Sequence, residues 1–226
     1  GIFDVNFRVL SMQNKFKQMQ EYNWQSASDP VEFSFGPFVV KEWLPRGPDG
    51  IVFAMIERVQ PPLEGWPNLR EMSRLFNATQ VVADIEAAKD FYINKLGFKI
   101  YLEHKGASSK EGPNVLGLPH NLTTKIDREV YILHPTGVNE GSVEILSFDG
   151  AIGRDFSALA VPPNLGILML RFPVYDIDKI HQLSIDENIE VIFPPMRVEL
   201  DPYGEIDLMA VKGPGGVWLE FYESTN

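Results

Sequence analysis

Cysteine is absent from all 226 residues. That removes disulfides, thiolate metal ligands and cysteine nucleophiles together, so any chemistry must come from oxygen and nitrogen donors. Positive charge is scarce: 20 Lys and Arg against 31 Asp and Glu leave a formal net charge of −11 with no basic stripe. Nucleic acid is excluded as a partner, because phosphate contacts need clustered Lys and Arg. No apolar run reaches transmembrane length and no signal-peptide pattern is present, so a cytoplasmic protein without a membrane partner is expected. There is no G-x-S-x-G, no phosphate-cradling Gly-rich loop after a strand and no nucleotide fingerprint. The chain opens on Gly1, not Met, and almost directly on a strand, which leaves room for an upstream segment.

What is present is a recurring unit. In residues 75–104, Phe76 to Val82 reads as a buried strand, and Asp84 sits where a helix N-cap belongs, with Glu86 facing the positive end of the helix dipole. Ala87, Ala88, Phe91, Tyr92 and Leu96 follow at helical spacing, Gly97 closes the helix as a left-handed cap, and Phe98 to Glu103 is the next strand. Glu129–Leu133 and Ser142–Phe148 complete a β-α-β-β-β order. The long excursion from Lys105 to Arg128, with a helical turn at Asn114–Leu118, has the length of a lid or binding loop.

The same order is predicted on both sides. Upstream lie a strand at 2–10, a helix from Asn14 to Tyr22, strands at Val31–Phe38 and Val39–Leu44, a tight turn with Gly50 at positive φ, and a closing strand at Ile51–Val59. Downstream, Ile167–Val174 is a strand and Asp176 caps a helix ending near Asn188. Short strands at Ile189–Phe193, Arg197–Leu200 and Ile206–Val211 then lead to the closing strand Val217–Glu223. Three copies at similar spacing are an internal repeat, and the expected fold is α+β, built of βαβββ modules. The expected boundaries are a first module at 1–60, a connector at 61–72, a second module at 73–150, a connector at 151–163 and a third module at 164–226.

These repeats resemble the vicinal oxygen chelate superfamily, which includes glyoxalase I, bleomycin-resistance proteins and extradiol dioxygenases. The resemblance is carried by VVADIEAAKDFYINKLGF at Val81–Phe98, GSVEILSF at Gly141–Phe148 and GPGGVWLEFYE at Gly213–Glu223. It covers the second and third copies well and the first more weakly. It implies that two modules curl their sheets around one cavity as a half-open barrel, with the second and third expected to pair. It further implies inward ligands on the first and closing strands: Asn77 and Glu144 in the second copy, Met169 and Glu220 in the third, and, at the equivalent positions of the first, Asp4 and Ala54.

Neither His of the family pattern is retained, so no tightly bound transition metal is expected, at most a weakly held divalent cation on Glu144 and Glu220. Glu220 and Glu144 are the candidate catalytic groups, with His120 of the excursion as a further acid, base or hydrogen-bond donor. Asn77, Met169, Trp218 and Tyr222 are the candidate substrate-binding residues, since Trp218 and Tyr222 share the face of Glu220. A carboxylate among apolar neighbours is partly desolvated, which raises its pKa toward the range useful for proton transfer. The expected function is lyase- or isomerase-type proton transfer on a small organic substrate. The alternatives are a metal-free binding protein of the bleomycin-resistance type and a metal-dependent ring-cleaving dioxygenase. The first module shows an apolar face (Phe3, Val5, Phe7 and Val9, with Phe53 and Met55) that needs covering. Association into a homodimer is the expectation for it, packing against the connector around Trp66 the alternative.

Overall fold

The structure, a computed structural model, describes residues 1–66, 69–151 and 153–224. Pro67 and Asn68 of the first expected connector, Ile152 of the second, and residues 225–226 of the third module lie outside the described residues.

The first repeat contains β1 (Ile2–Arg8), α1 (Met12–Glu21), β2 (Val31–Phe35), β3 (Phe38–Trp43) and β4 (Phe53–Gln60). The second contains β5 (Asn77–Val81), α2 (Ile85–Lys89) running on as a π-helical turn (Asp90–Lys95), β6 (Lys99–Gly106), β7 (Arg128–His134) and β8 (Ser142–Phe148). The third contains β9 (Met169–Pro173), α3 (Ile177–Asp186), β10 (Val191–Leu200), β11 (Gly204–Lys212) and β12 (Trp218–Ser224). The α+β class and the thrice-repeated βαβββ order match the expectation.

Local signals account for most boundaries. Ser11 caps α1 by accepting from the Asn14 N–H at 3.4 Å, and the Glu57 carboxylate accepts from the Met12 N–H at 2.6 Å, so the helix start is satisfied. Asp176 caps α3 through the Lys179 N–H at 3.0 Å. Gly97 takes a φ of 73° after the second helix, the left-handed stop expected there. Three readings differ. Pro37 lies in the turn between β2 and β3, outside the ladder, where its missing N–H costs nothing. Segments 189–193 and 197–200 are one strand, with irregular register on either side of Phe193 absorbing Pro194 and Pro195. The helical turn of the long excursion falls at His120–Leu122, while Asn114 instead bridges to Leu118, its side chain accepting from the Leu118 N–H (2.9 Å) and donating to the Leu118 carbonyl (2.7 Å).

Sheet pairing departs from expectation. The chain divides into two compact units: residues 3–85 with 98–153, and residues 86–97 with 154–226 and the first two residues. In the larger unit one eight-stranded sheet runs β2-β3-β4-β1-β5-β8-β7-β6. The first module is thus joined to the second through neighbouring first strands, β1 and β5. The partnership of second with third is not the one the hydrogen-bonded sheets make. The third module forms its own four-stranded sheet, β10-β11-β12-β9, and the Glu86–Gly97 helix groups with it, Lys95 Nζ donating to the Glu187 carbonyl at 3.1 Å.

The apolar face of the first module is covered in part by its own helix, at Val9, Phe53 and Met55, while Phe3 packs with Leu44, Val52, Ala54, Val115 and Leu116. Val9, Met12, Trp43 and Met55 are buried together, with Phe16 and Met19 of α1, Trp24, Phe53 and Met72 packed around them. Met12, Phe16 and Met19 recur at helical spacing, so α1 presents one stripe to the sheet. The homodimer was expected on the premise that this face lacks a cover within the chain; at Val9, Phe53 and Met55 the chain supplies one. Trp66 lies edge-on to Phe76 at 5.6 Å, away from this cluster.

Candidate active site

Asp4, Asn6 and Arg8 share one face of β1, because successive strand residues alternate. There the eight-stranded sheet curls around a cavity of about 160 Å³, lined entirely by residues of the larger unit. For scale, a dry cavity of about 150 Å³ accepts benzene. β1 contributes Asp4, Asn6 and Arg8; β3 Glu42; β4 Arg58; β5 Asn77 and Thr79; β7 Arg128; and β8 Glu144. Val115 and Leu116 of the long excursion also line it, so that loop does reach the cavity.

The polar groups divide into an amide network, an acidic cluster and three arginines. Asn6 Nδ2 donates to Asn77 Oδ1 and, at 3.2 Å, to Thr79 Oγ1, while Asn77 Nδ2 donates to Ser142 Oγ at 2.7 Å. Asp4, only 2% exposed, and Glu144 flank Thr79, which lies opposite Glu144 in the β5–β8 register and acts on the pKa of each, while Asp4 Oδ1 is buried without a hydrogen-bond partner. Burial pushes the Asp4 carboxyl up to about 7, with the bond to Thr79 pulling back. Burial and then the neighbouring Asp4 push Glu144 up to about 8. Glu42 is raised well above the ordinary carboxylate range by burial and by Asp4 and Glu144, and Arg8 offsets part of this. A hydroxyl has one hydrogen to give. Thr79, already accepting from Asn6, can therefore donate to only one of the two carboxyls at a time.

Of the residues singled out from sequence, Glu144 and Asn77 line this cavity, and Asp4 joins them from the equivalent position of the first module. Glu220, Met169, Trp218 and Tyr222 lie instead on β12 and β9 of the four-stranded sheet, where Trp218 is opposite Met169 and Glu220 opposite Arg171. Glu220 is 5% exposed and held by Arg171, whose Nε donates to it at 2.8 Å, and Tyr222 packs on Tyr203 at 4.9 Å. His120 sits on the excursion outside the cavity lining, its carbonyl accepting from Thr123. Sequence reading missed Glu42, Arg8, Arg58, Arg128, Asn6 and Thr79. The signal for Asn6 and Arg8 was alternation from Asp4, and for Thr79 alternation from Asn77.

The family pattern implies a divalent metal between first-strand and closing-strand positions, and the donors present do not fit one. At those positions the cavity offers Asp4, Asn77, Glu144 and Ala54. Asn77's amide is engaged at both ends and Ala54 has no donor, which leaves only the two carboxyls. Among the described residues no three His, Cys, Asp or Glu side chains are grouped to hold a metal ion. No described helix is long and apolar enough to cross a membrane.

Comparison with known proteins bears on the fold and the family. A family model described as "Glyoxalase/Bleomycin resistance protein/Dioxygenase superfamily" matches residues 74–221. Glyoxalase I from Zea mays is 14% identical with a TM-score of 0.62, all of this chain covering 68% of that one. A putative dioxygenase from Bacillus subtilis is 12% identical with a TM-score of 0.56, all of this chain covering 62% of it. A glyoxalase family protein from Bacillus cereus is 18% identical with a TM-score of 0.53, 72% of this chain covering the whole of that one. At these identities the structural likeness speaks to fold alone. A search of curated proteins found no match.

Proposed function

The chain belongs to the Glyoxalase/Bleomycin resistance protein/Dioxygenase superfamily, and from that premise we propose that it performs proton transfer on a small organic carbonyl compound held in the cavity of its eight-stranded unit. The observation that carries this reading is the pair of buried carboxyls, Asp4 and Glu144, set around one hydroxyl with pKa values raised to about 7 and about 8. A pair that shares a proton near neutral pH supplies a base and an acid at once.

In the proposed step one carboxylate of the pair takes a proton from the carbon next to the substrate carbonyl. The electron pair of that C–H bond moves toward the carbonyl, and charge develops on its oxygen. The protonated partner donates to that oxygen, which stabilises the enolate. Return of the proton to a different carbon, or loss of a leaving group, would give the isomerase or lyase outcome. Thr79 and Asn6 hold the pair in place, and no metal enters the step. Glu220, tied to Arg171 on the other unit's sheet, is not used.

Solvent-deuterium wash-in followed by ¹H NMR tests the proposal, with phenylpyruvate and neutral phenylacetone as probes. Exchange above the protein-free rate is expected, falling about a hundredfold or more in Glu144→Gln. A second reading, sequestration without chemistry, is favoured by the aromatic wall of Phe33, Phe35 and Phe38. Binding of these probes with no accelerated exchange would establish it over the catalytic one.

A further inference from the structure

The mechanism above uses the acidic end of the cavity and leaves three arginines unexplained. Arg8 is 6% exposed, and the Nε atoms of Arg8, Arg58 and Arg128 are all buried without a hydrogen-bond partner. Burying a guanidinium edge with no acceptor is costly, and native chains rarely do so without a reason. Arg128 still donates through a terminal nitrogen to Ser108 Oγ at 3.1 Å, which leaves Arg8 and Arg58 as the pair to explain.

The geometry also shows which surface of the Arg8 and Arg58 guanidiniums is taken. Arg8 lies over the Phe76 ring at 4.2 Å and Arg58 over the Phe38 ring at 3.7 Å. Stacking occupies the face of the plane and locks its orientation, while the donors project from the edge. Internal acids do not use those edges. The nearby carboxyl cluster relieves its repulsion by keeping protons, with Glu42 acting on Arg8 through space. Arg58 stands close enough to Arg8 to disfavour its charge, so an anion placed between them would relieve both. In a chain of net charge −11 a concentrated positive wall inside one cavity runs against the overall field.

We infer that the ligand of this cavity carries a carboxylate, seated against the free edges of Arg8 and Arg58, with an apolar body against Phe33, Phe35 and Phe38. The inference rests on reading the cavity as a ligand site and names the class of ligand: a small aromatic or branched organic acid. A carboxylate matches the fork of a guanidinium in two parallel bonds, which a neutral carbonyl cannot do. The arrangement also gives the ligand a direction. Its acid group lies at the arginine end and its reacting carbon toward Asp4 and Glu144, with Glu42 between the two.

Isothermal titration of the full chain with benzoate and its neutral isostere benzamide tests the inference. Benzoate is expected to bind about tenfold or more tighter than benzamide, a preference that shrinks in Arg58→Met and is partly kept in Arg58→Lys. Arg8→Met provides a second variant should Arg58→Met fail to fold, and it too is expected to weaken benzoate selectively. Benzamide binding as tightly as benzoate, no binding of benzoate, or benzoate affinity unchanged in both Met variants would overturn the inference. The outcome is separable from the catalytic reading. Arginine-dependent benzoate binding without any deuterium exchange would remove the chemistry alone, and exchange on phenylacetone with no preference for the anion would remove the carboxylate alone.

Discussion

Asp4 and Glu144, from the first strand of one repeat and the closing strand of the next, face the same hydroxyl, that of Thr79. Glu144 lies opposite Thr79 within the second module, and Asp4 comes to the same place only because β1 is the neighbour of β5.

This pair makes stability depend on pH in a stated direction. Both folded-state pKa values are raised, so between about pH 4 and about pH 8 the folded chain binds more protons than the unfolded one. Their contribution to stability is fully present below the unfolded pKa values and is lost as pH rises through about 7 and about 8. Asp4→Asn removes one such group, and its stability should fall less across that window. At about pH 9 it should exceed the parent by on the order of 1–3 kcal/mol. Urea denaturation at both ends of the window checks this; parallel pH dependence in the two proteins would refute it.

Thr79→Val deletes the hydroxyl and keeps the shape. The bond to Thr79 lowers both carboxyl pKa values, so its loss should move both titrations upward. It should also strand Asn6 Nδ2 with one acceptor fewer. An unchanged pH profile for deuterium exchange in this variant would mean that Thr79 only fills space.

The buried ion pair of the four-stranded unit invites a double-mutant cycle. Arg171 donates to Glu220 through Nε at 2.8 Å and lies 2.6 Å from it through its terminal nitrogen, and the Glu220 side chain is 7% exposed. Arg171→Met leaves a buried carboxylate unpaired and should cost about 3 kcal/mol or more, whereas Arg171→Met with Glu220→Met should recover most of the loss. Additive losses in thermal melts would contradict this.

The cover that α1 provides is also measurable. Met55 is fully buried among Val9, Met12 and Trp43, so Met55→Ala should destabilise the chain by about 2–5 kcal/mol. A loss below about 0.5 kcal/mol in denaturant titration would show that the cluster is loosely packed.

The modules were legible because each boundary carries a local signal, such as Asp176 at a helix start or Gly97 at a helix stop. Glu144 and Asn77 were legible because a polar residue in an apolar alternating strand has few places to go. Which modules share a sheet was not legible. The second and third copies carry the same alternation and the same closing-strand Glu, so local pattern gives no reason to prefer β1 over β9 as the neighbour of β5. That choice is long-range. It moved the weight from Glu220 to Asp4, a residue already identified as the equivalent position in the first repeat. Glu42, Arg8 and Arg58 read in isolation as ordinary charges on half-exposed strands. Only closure of the sheet puts them inside.

The central claim is that Asp4 and Glu144 hold a proton between them near neutral pH. Carboxyl-carbon NMR titration of the ¹³C-labelled chain, assigned by Asp4→Asn and Glu144→Gln, measures this directly. The account predicts two coupled resonances whose titrations fall near 7 and 8, and whose remaining member titrates lower when its partner is neutralised. Both resonances titrating below about pH 5, in the ordinary carboxylate range, would contradict it.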